Sequence, residues 1–210
     1  EHKKTAYDEA YVEELYSRFQ NHEIEDRELL ERLKEEISGR EIIVIAPGHS
    51  IVSEKARVKE YIEENHPVVF TANFSPEEYD KDYIFCSNAM RYEVLRDRKS
   101  DVPVLITSNL LDVCEGEDNI LNYADLSFDE LGSCDNCVIM LMKLLIRLEV
   151  REVVLAGFDG YKAEGGNYVH NYMASRHTKG QEENIRIKKY VTELKKKISI
   201  RFLTESIYEK

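Results

Sequence analysis

A chain of 210 residues, 42% hydrophobic and 33% charged, can build one α/β domain with a full core and is too apolar to stay disordered. Its formal net charge of −12 disfavours nucleic acid as a partner. No window approaches the roughly 18 apolar residues of a membrane span, and no basic segment leads into an apolar one at the start, so a cytoplasmic protein is expected.

The chain begins at Glu1 without methionine, which fits a domain excised from something longer. Residues 7–38 read as two helices. "AYVEELYSRF" spaces Tyr11, Leu15 and Phe19 four apart, as one apolar stripe. "EDRELLERLKEEI" does the same with Leu29, Leu30, Leu33 and Ile37, and Gly39 suits a helix C-cap. The expected division is a helical linker or clamp over 1–40 and an α/β domain over 41–210.

From residue 41 the period changes. Short β-branched runs occur at Ile42–Ala46, Val68–Ala72, Tyr83–Cys86, Val104–Ile106, Val153–Ala156 and Ile198–Leu203. Helical stretches lie between them at about 53–64, 89–97, 136–148 and 181–197. This alternation predicts a three-layer, Rossmann-like α/β fold with a mainly parallel sheet and an N-terminal helical pair. Ile42–Ala46 and Val153–Ala156 are apolar on both faces and are expected in the sheet interior. "VIMLMKLLIRL" is apolar on most sides and is expected to be a buried helix.

In such folds ligands bind beyond the carboxyl ends of the strands, near the point where the strand order reverses. The strand ends carry Pro47, Gly48, His49 and Ser50; Asn73, Phe74 and Ser75; Ser87 and Asn88; Thr107, Ser108 and Asn109; and Gly157, Phe158, Asp159, Gly160 and Tyr161. None has lysine or arginine at the turn itself. Turn chemistry alone accounts for any one of these ends. Together they make a rim of uncharged donors and acceptors that suits a sugar, a ribose or a base edge.

"EIIVIAPGHSI" runs an apolar strand into a turn that is neither GxGxxG, nor GxxxxGK[ST], nor GxSxG. Its backbone amides remain able to face an anion, with Gly48 allowing close approach and Ser50 capping a helix or donating. Cys134 and Cys137 have CxxC spacing, but a structural zinc needs a second ligand pair, and the sequence holds no second CxxC or HxxxH. No metal and no obligatory disulfide are expected there. Lys195, Lys196 and Lys197 read as a solvated helix end.

Several short segments carry a resemblance to known families. "VIAPGHSI" resembles the glycine-rich "GxGPSL" segment after the first strand of bacterial sialyltransferases, and similar segments occur in the motility-associated factor and 6-hydroxymethylpterin diphosphokinase-like group. "TANFS" resembles the second-strand asparagine segment of the same families, and "VREVVLAGFDGY" resembles their "KEIYLxGIDFY". The tail "ISIRFLTESIY" is similar to their last strand, so the order agrees over about 41–206. The wider pattern from "IVIAPGHSI" to "FLTESIY" also resembles the domain C-terminal to the barrel in 4-hydroxy-2-oxovalerate aldolase-like proteins. That second resemblance implies an upstream aldolase-like barrel in the same chain; the barrel and its metal ligands lie outside this sequence.

The sialyltransferase resemblance implies a nucleotide-sugar ligand, no other cofactor and no catalytic metal. Gly48, Ser50, Asn73, Asn136 and Asp159 are the nucleotide-binding candidates, with Asp159 expected to brace its turn and Asn136 to cap a helix. Tyr161 and Tyr168 match the tyrosines that hold the leaving phosphate, and His177 matches the general base, with His170 as its competitor. The chain departs from the pattern at Ala46, Pro47 and His49, and Cys137-Val138 stands where the family has Ser-Gly. Two functions follow: a glycosyltransferase-like domain for surface-carbohydrate synthesis, or a noncatalytic ligand- or partner-binding domain of an aldolase-like lyase.

Overall fold

The structure is a computed structural model that describes residues 8–21, 24–97, 101–114, 119–162, 166–170, 173 and 179–209. Its centre is a seven-stranded, all-parallel sheet in the order β5-β4-β3-β2-β1-β6-β7. The strands are β1 (Ile42–Ile45), β2 (Val68–Ala72), β3 (Tyr83–Cys86), β4 (Val104–Thr107), β5 (Ile120–Leu121), β6 (Glu152–Ala156) and β7 (Ser199–Phe202). The helices are α1 (Glu9–Phe19), α2 (Arg27–Ile37), α3 (Ser50–Ser53), α4 (Lys55–Asn65), α5 (Ala89–Asp97), α6 (Tyr123–Leu126), α7 (Cys137–Arg147) and α8 (Gly180–Leu194). This is the expected three-layer Rossmann-like fold. Six strands match the expected runs to within a residue or two, and β1 and β6 are both interior. The stretch expected as one helix over 53–64 is split by Glu54 into α3 and α4.

Side chains alternate across the sheet with period two, so each face has its own core. On one face Ile42, Val44, Phe70, Phe85 and Leu155 meet α1, α2, α6, α7 and α8. On the other, Ile43, Ile45, Val69 and Val154 meet α3 and α4, while Ile84 and Ile106 meet α5. The chain steps outward from β1 to β5, then returns through α6 and α7 to place β6 beside β1. Right-handed crossovers in opposite directions put helices on opposite faces. The reversal therefore falls between β1 and β6, and a crevice opens at their carboxyl ends.

Local sequence explains the elements that frame this crevice. Asp8 caps α1 by accepting from the backbone N–H groups of Ala10 and Tyr11 at 3.1 and 3.3 Å. Leu29, Leu33 and Ile37, four apart, are buried, and α2 stops before Gly39 at φ +70°. The same core holds Leu15, Phe19 and the α7 residues, so the N-terminal pair packs directly on the α/β layer. Helix α7 is buried nearly all round. Its Lys143 bonds the carbonyls of Ser127 and Phe128 at 2.9 and 3.3 Å and lies 3.5 Å from Asp129, which makes its burial tolerable. No helix among the described residues is long and apolar enough to cross a membrane.

Candidate functional site

The floor of the crevice is built by two glycines. Gly48 donates to the Gly157 carbonyl at 2.9 Å, which draws the exits of β1 and β6 together. A Cβ on Gly48 would overlap the Gly157 carbonyl and fall 2.6 Å from the Asp159 carboxylate. Gly157 has φ +73°, and a Cβ there would overlap the Ala46 carbonyl and lie 2.6 Å from Ile51. The space beside Gly48 that the sequence suggested for a phosphate is filled by the protein itself.

Asp159 occupies the start of α3. Its Oδ2 accepts from the Ser50 backbone N–H at 2.9 Å, and its Oδ1 accepts from the Ser50 hydroxyl at 2.5 Å. Ser50 Oγ is also in hydrogen-bond contact with Thr204 Oγ1 at 2.7 Å, and Thr204 accepts from the Gly157 N–H at 2.8 Å. Ser50 and Thr204 are both buried. Asp159 therefore braces the turn, as the sequence suggested, and its carboxylate holds the position an anion would take at that helix start. His49, next in the turn, is exposed.

Asparagines staple the next three strand ends. Asn73 adopts φ +62°, a conformation asparagine tolerates, and its Oδ1 accepts from the Ser87 N–H at 3.0 Å. Asn109 donates to the Ser87 carbonyl at 3.1 Å and accepts from the Thr107 hydroxyl at 2.5 Å. Ser87, at the end of β3, is thus clamped from both sides. Much of the polar rim is spent on positioning its own backbone.

A tyrosine cluster forms the far wall. Asn136 caps α7 by accepting from the N–H groups of Val138 and Ile139 at 3.1 and 3.2 Å, and its amide Nδ2 reaches the Tyr161 hydroxyl at 3.4 Å. Tyr161 and Tyr168 meet edge to face, with ring centroids 6.4 Å apart. Asn184 on α8 clamps the Tyr161 backbone, accepting from its N–H at 2.9 Å and donating to its carbonyl at 2.8 Å, and it accepts from Tyr208 at 2.7 Å. Beyond Tyr168 the chain crosses the sheet edge. Val169 donates to the Pro47 carbonyl at 3.0 Å, His170 lies 6.3 Å from the Phe74 ring, and Met173 is buried among Ile45, Ile51 and Phe74. His177 lies outside the described residues.

Arg91, in the first turn of α5, reaches back over this segment. Its guanidinium stands 5.6 Å from the Tyr168 ring centroid and donates to the Met173 carbonyl at 2.5 Å. The sequence reading noted no cation at the strand ends themselves, yet a helical side chain places one there. Arg91, Asn184 and Thr204 were all missed. The only signal for Arg91 was its position one turn beyond the end of β3.

Electrostatics keep the Tyr161 and Tyr208 hydroxyls protonated. Burial, then Tyr168, Tyr208 and Glu183, push the Tyr161 phenol well above its usual range, and burial also raises Tyr208. Both phenols remain donors across neutral pH. Burial likewise raises Cys86 and Cys134 to about 12 and holds Cys137 well above the usual thiol range. Protonated thiols are poor nucleophiles and poor metal ligands. All four cysteines are free, and no group of three or more His, Cys, Asp or Glu is placed to hold a metal among the described residues. A separate hollow of about 230 Å³ lies at the opposite, amino ends of the strands between Arg40, His66, Lys81 and Asp82, away from all of these groups.

Asp135, just before the Asn136 cap, has its carboxyl raised to about 6, chiefly by burial and further by Glu183. A carboxyl held above its ordinary value of 3.8 makes the charged form costly in the fold. The cost is absent below pH 3.8, grows through the interval to about 6 and is complete above it. Asp135→Asn removes that cost. The variant should gain stability relative to the parent as pH rises from about 4 to 7.5, by about 1–2 kcal/mol given the partial exposure of the side chain. Urea unfolding at the two pH values checks this; an unchanged difference would contradict it.

No family model matches this chain, and no curated protein matches it significantly.

Proposed function

We propose that the crevice at the carboxyl ends of β1 and β6 binds a nucleotide or nucleotide sugar, and that the domain is a metal-independent, glycosyltransferase-like module of surface-carbohydrate synthesis. One observation carries the reading. Two half-buried phenols, Tyr161 and Tyr168, stand in edge contact beside the Asn136 amide, at the place where this topology collects its ligands. The Tyr161 phenol, kept neutral by its burial, is a donor suited to a departing phosphate without a metal. The segmental resemblance to bacterial sialyltransferases supports the same roles and adds His177 as general base. Gly48, Ser50 and Asp159 enter as the rigid floor under the ligand, and Asn73 presents its amide Nδ2 to a base or ribose.

The test uses Asn73→Asp and His177→Ala. Aspartate keeps the oxygen that accepts from Ser87 and tolerates the left-handed backbone, but loses the NH2 donor. Calorimetry with cytidine nucleotides should show Asn73→Asp binding weaker by about 1–3 kcal/mol. His177→Ala should keep nucleotide affinity and lose turnover, because a general base acts mainly in the transition state. Nucleotide binding untouched by Asn73→Asp would remove the pocket assignment.

A specific observation favours a second reading. Asp159 fills the β1 turn with a negative charge, and the turn departs from the glycine-rich pattern at Ala46, Pro47 and His49. This suits a noncatalytic ligand- or partner-binding domain of an aldolase-like lyase. Nucleotide binding with no transfer to any sugar acceptor would favour it.

A further inference from the structure

We propose that the hollow at the amino ends of β1, β2 and β3 is a second ligand site, built for a small zwitterion with an apolar stem, the chemistry of a free amino acid. The hollow has a volume of about 230 Å³. That is below the roughly 300–1,000 Å³ of pockets for drug-sized molecules, so its ligand is small. It lies on the edge of the sheet opposite the crevice and takes no part in the nucleotide reading.

Three connections form it. Arg40 leads towards β1, His66 and Pro67 lead into β2, and Asp80, Lys81 and Asp82 lead into β3. Pro67 and Val69 are buried and Ile62 is half-buried, which gives the hollow an apolar lining. Two cations and two carboxylates share the rest of it, yet no ion pair joins them among the described residues. Three of the four are turned to backbone instead. Arg40 Nη2 donates to the His66 carbonyl at 3.4 Å, and Lys81 Nζ donates to the Pro76 carbonyl at 2.8 Å. Asp82 Oδ2 accepts from the Val69 N–H at 2.8 Å, and the Asp82 N–H donates to the Val69 carbonyl at 2.9 Å. Asp80 is exposed and makes no hydrogen bond among the described residues.

These bonds hold the charged groups in place and use little of their capacity. A guanidinium has five N–H donors and a carboxylate about four acceptor sites. Opposite charges that line one hollow without meeting each other select against a simple ion. An anion beside Arg40 and Lys81 is repelled by Asp80 and Asp82, and a cation meets the reverse. A molecule carrying one carboxylate and one ammonium satisfies both pairs, and its stem covers Ile62, Pro67 and Val69.

A set of surface charges that only water visits is the competing role. Calorimetry at low salt would use L-leucine and 5-aminopentanoate, the same two charges at different separations. Their single-charge analogues are N-acetylleucine and leucinamide for the first, pentanoate and 1-aminopentane for the second. The parent chain should bind at least one of the two zwitterions, and each analogue of that zwitterion should bind weaker by on the order of tenfold or more. Arg40→Gln keeps a donor for the His66 carbonyl and removes the charge. It should lose on the order of tenfold for the zwitterion and leave the amine analogue unchanged. Asp80→Asn should do the same for the zwitterion and leave the carboxylate analogue unchanged. Both side chains are exposed, and thermal unfolding checks that the variants fold. Three results would each overturn the proposal: no binding of either zwitterion by the parent, an analogue that binds as tightly as its zwitterion, or zwitterion binding untouched in both variants.

Discussion

Gly157→Ala should destabilise the domain by on the order of 3 kcal/mol or more, with no loss of secondary-structure type in the protein that remains folded. Two penalties coincide at this position. The φ of +73° is strained for alanine, and the added Cβ collides with the Ala46 carbonyl and with Ile51, 2.6 Å away. The carbonyl is backbone and cannot swing aside, so the exits of β1 and β6 would have to separate. Gly132 is the control: its φ is +106°, but a Cβ there meets nothing within 4 Å. Gly132→Ala should show only the backbone penalty, about 1–2 kcal/mol. Urea denaturation followed by circular dichroism and tyrosine fluorescence measures both. Equal effects at the two glycines would mean that the β1–β6 approach is less tight than described.

Asp159→Ala is expected to cost about 2–4 kcal/mol. It strips the Ser50 N–H and hydroxyl of their acceptors and leaves the buried Ser50–Thr204 pair to carry the turn alone. Asp159→Asn keeps one oxygen acceptor and should recover roughly half of that loss. The measured quantity is the unfolding free energy at neutral pH. Alanine and asparagine variants as stable as the parent would show that Asp159 is not the brace of this corner.

The fold was legible because its period changes are sharp. The runs at 42–46, 68–72, 83–86 and 153–156 are β-branched and bounded by turn residues, and each is a strand. Strand β5 was not legible: Ile120 and Leu121 are two residues, too few for any period, and pairing with β4 makes them a strand. The break at Glu54 was equally hidden, since α3 ends through backbone bonds back to Ser50 and not through a glycine or proline. The candidate site was legible as positions and not as partnerships. Asn73, Asn109 and Asp159 were visible as polar strand ends. That the asparagines would grip Ser87, and Asp159 would grip a serine 109 residues away, depends on register and crossover geometry. Arg91 was hidden for a related reason, because a long side chain acts a full turn away from where the sequence places it.

The strand order has a consequence for the chain as it is made. β1 is made before the other strands of the sheet, and its four residues are buried on both faces. Its partner β2 follows soon, but the other edge waits until β3, β4, β5 and the whole of α7 have been synthesised, for only then does β6 arrive to pair Ile43 with Val154. Through that interval the nascent sheet carries a bare, apolar edge in what becomes its interior, the kind of edge that recruits other chains. A protein stopped before β6 should therefore aggregate on the ribosome's timescale, and helper proteins that shield apolar segments should matter most for this one stretch of translation.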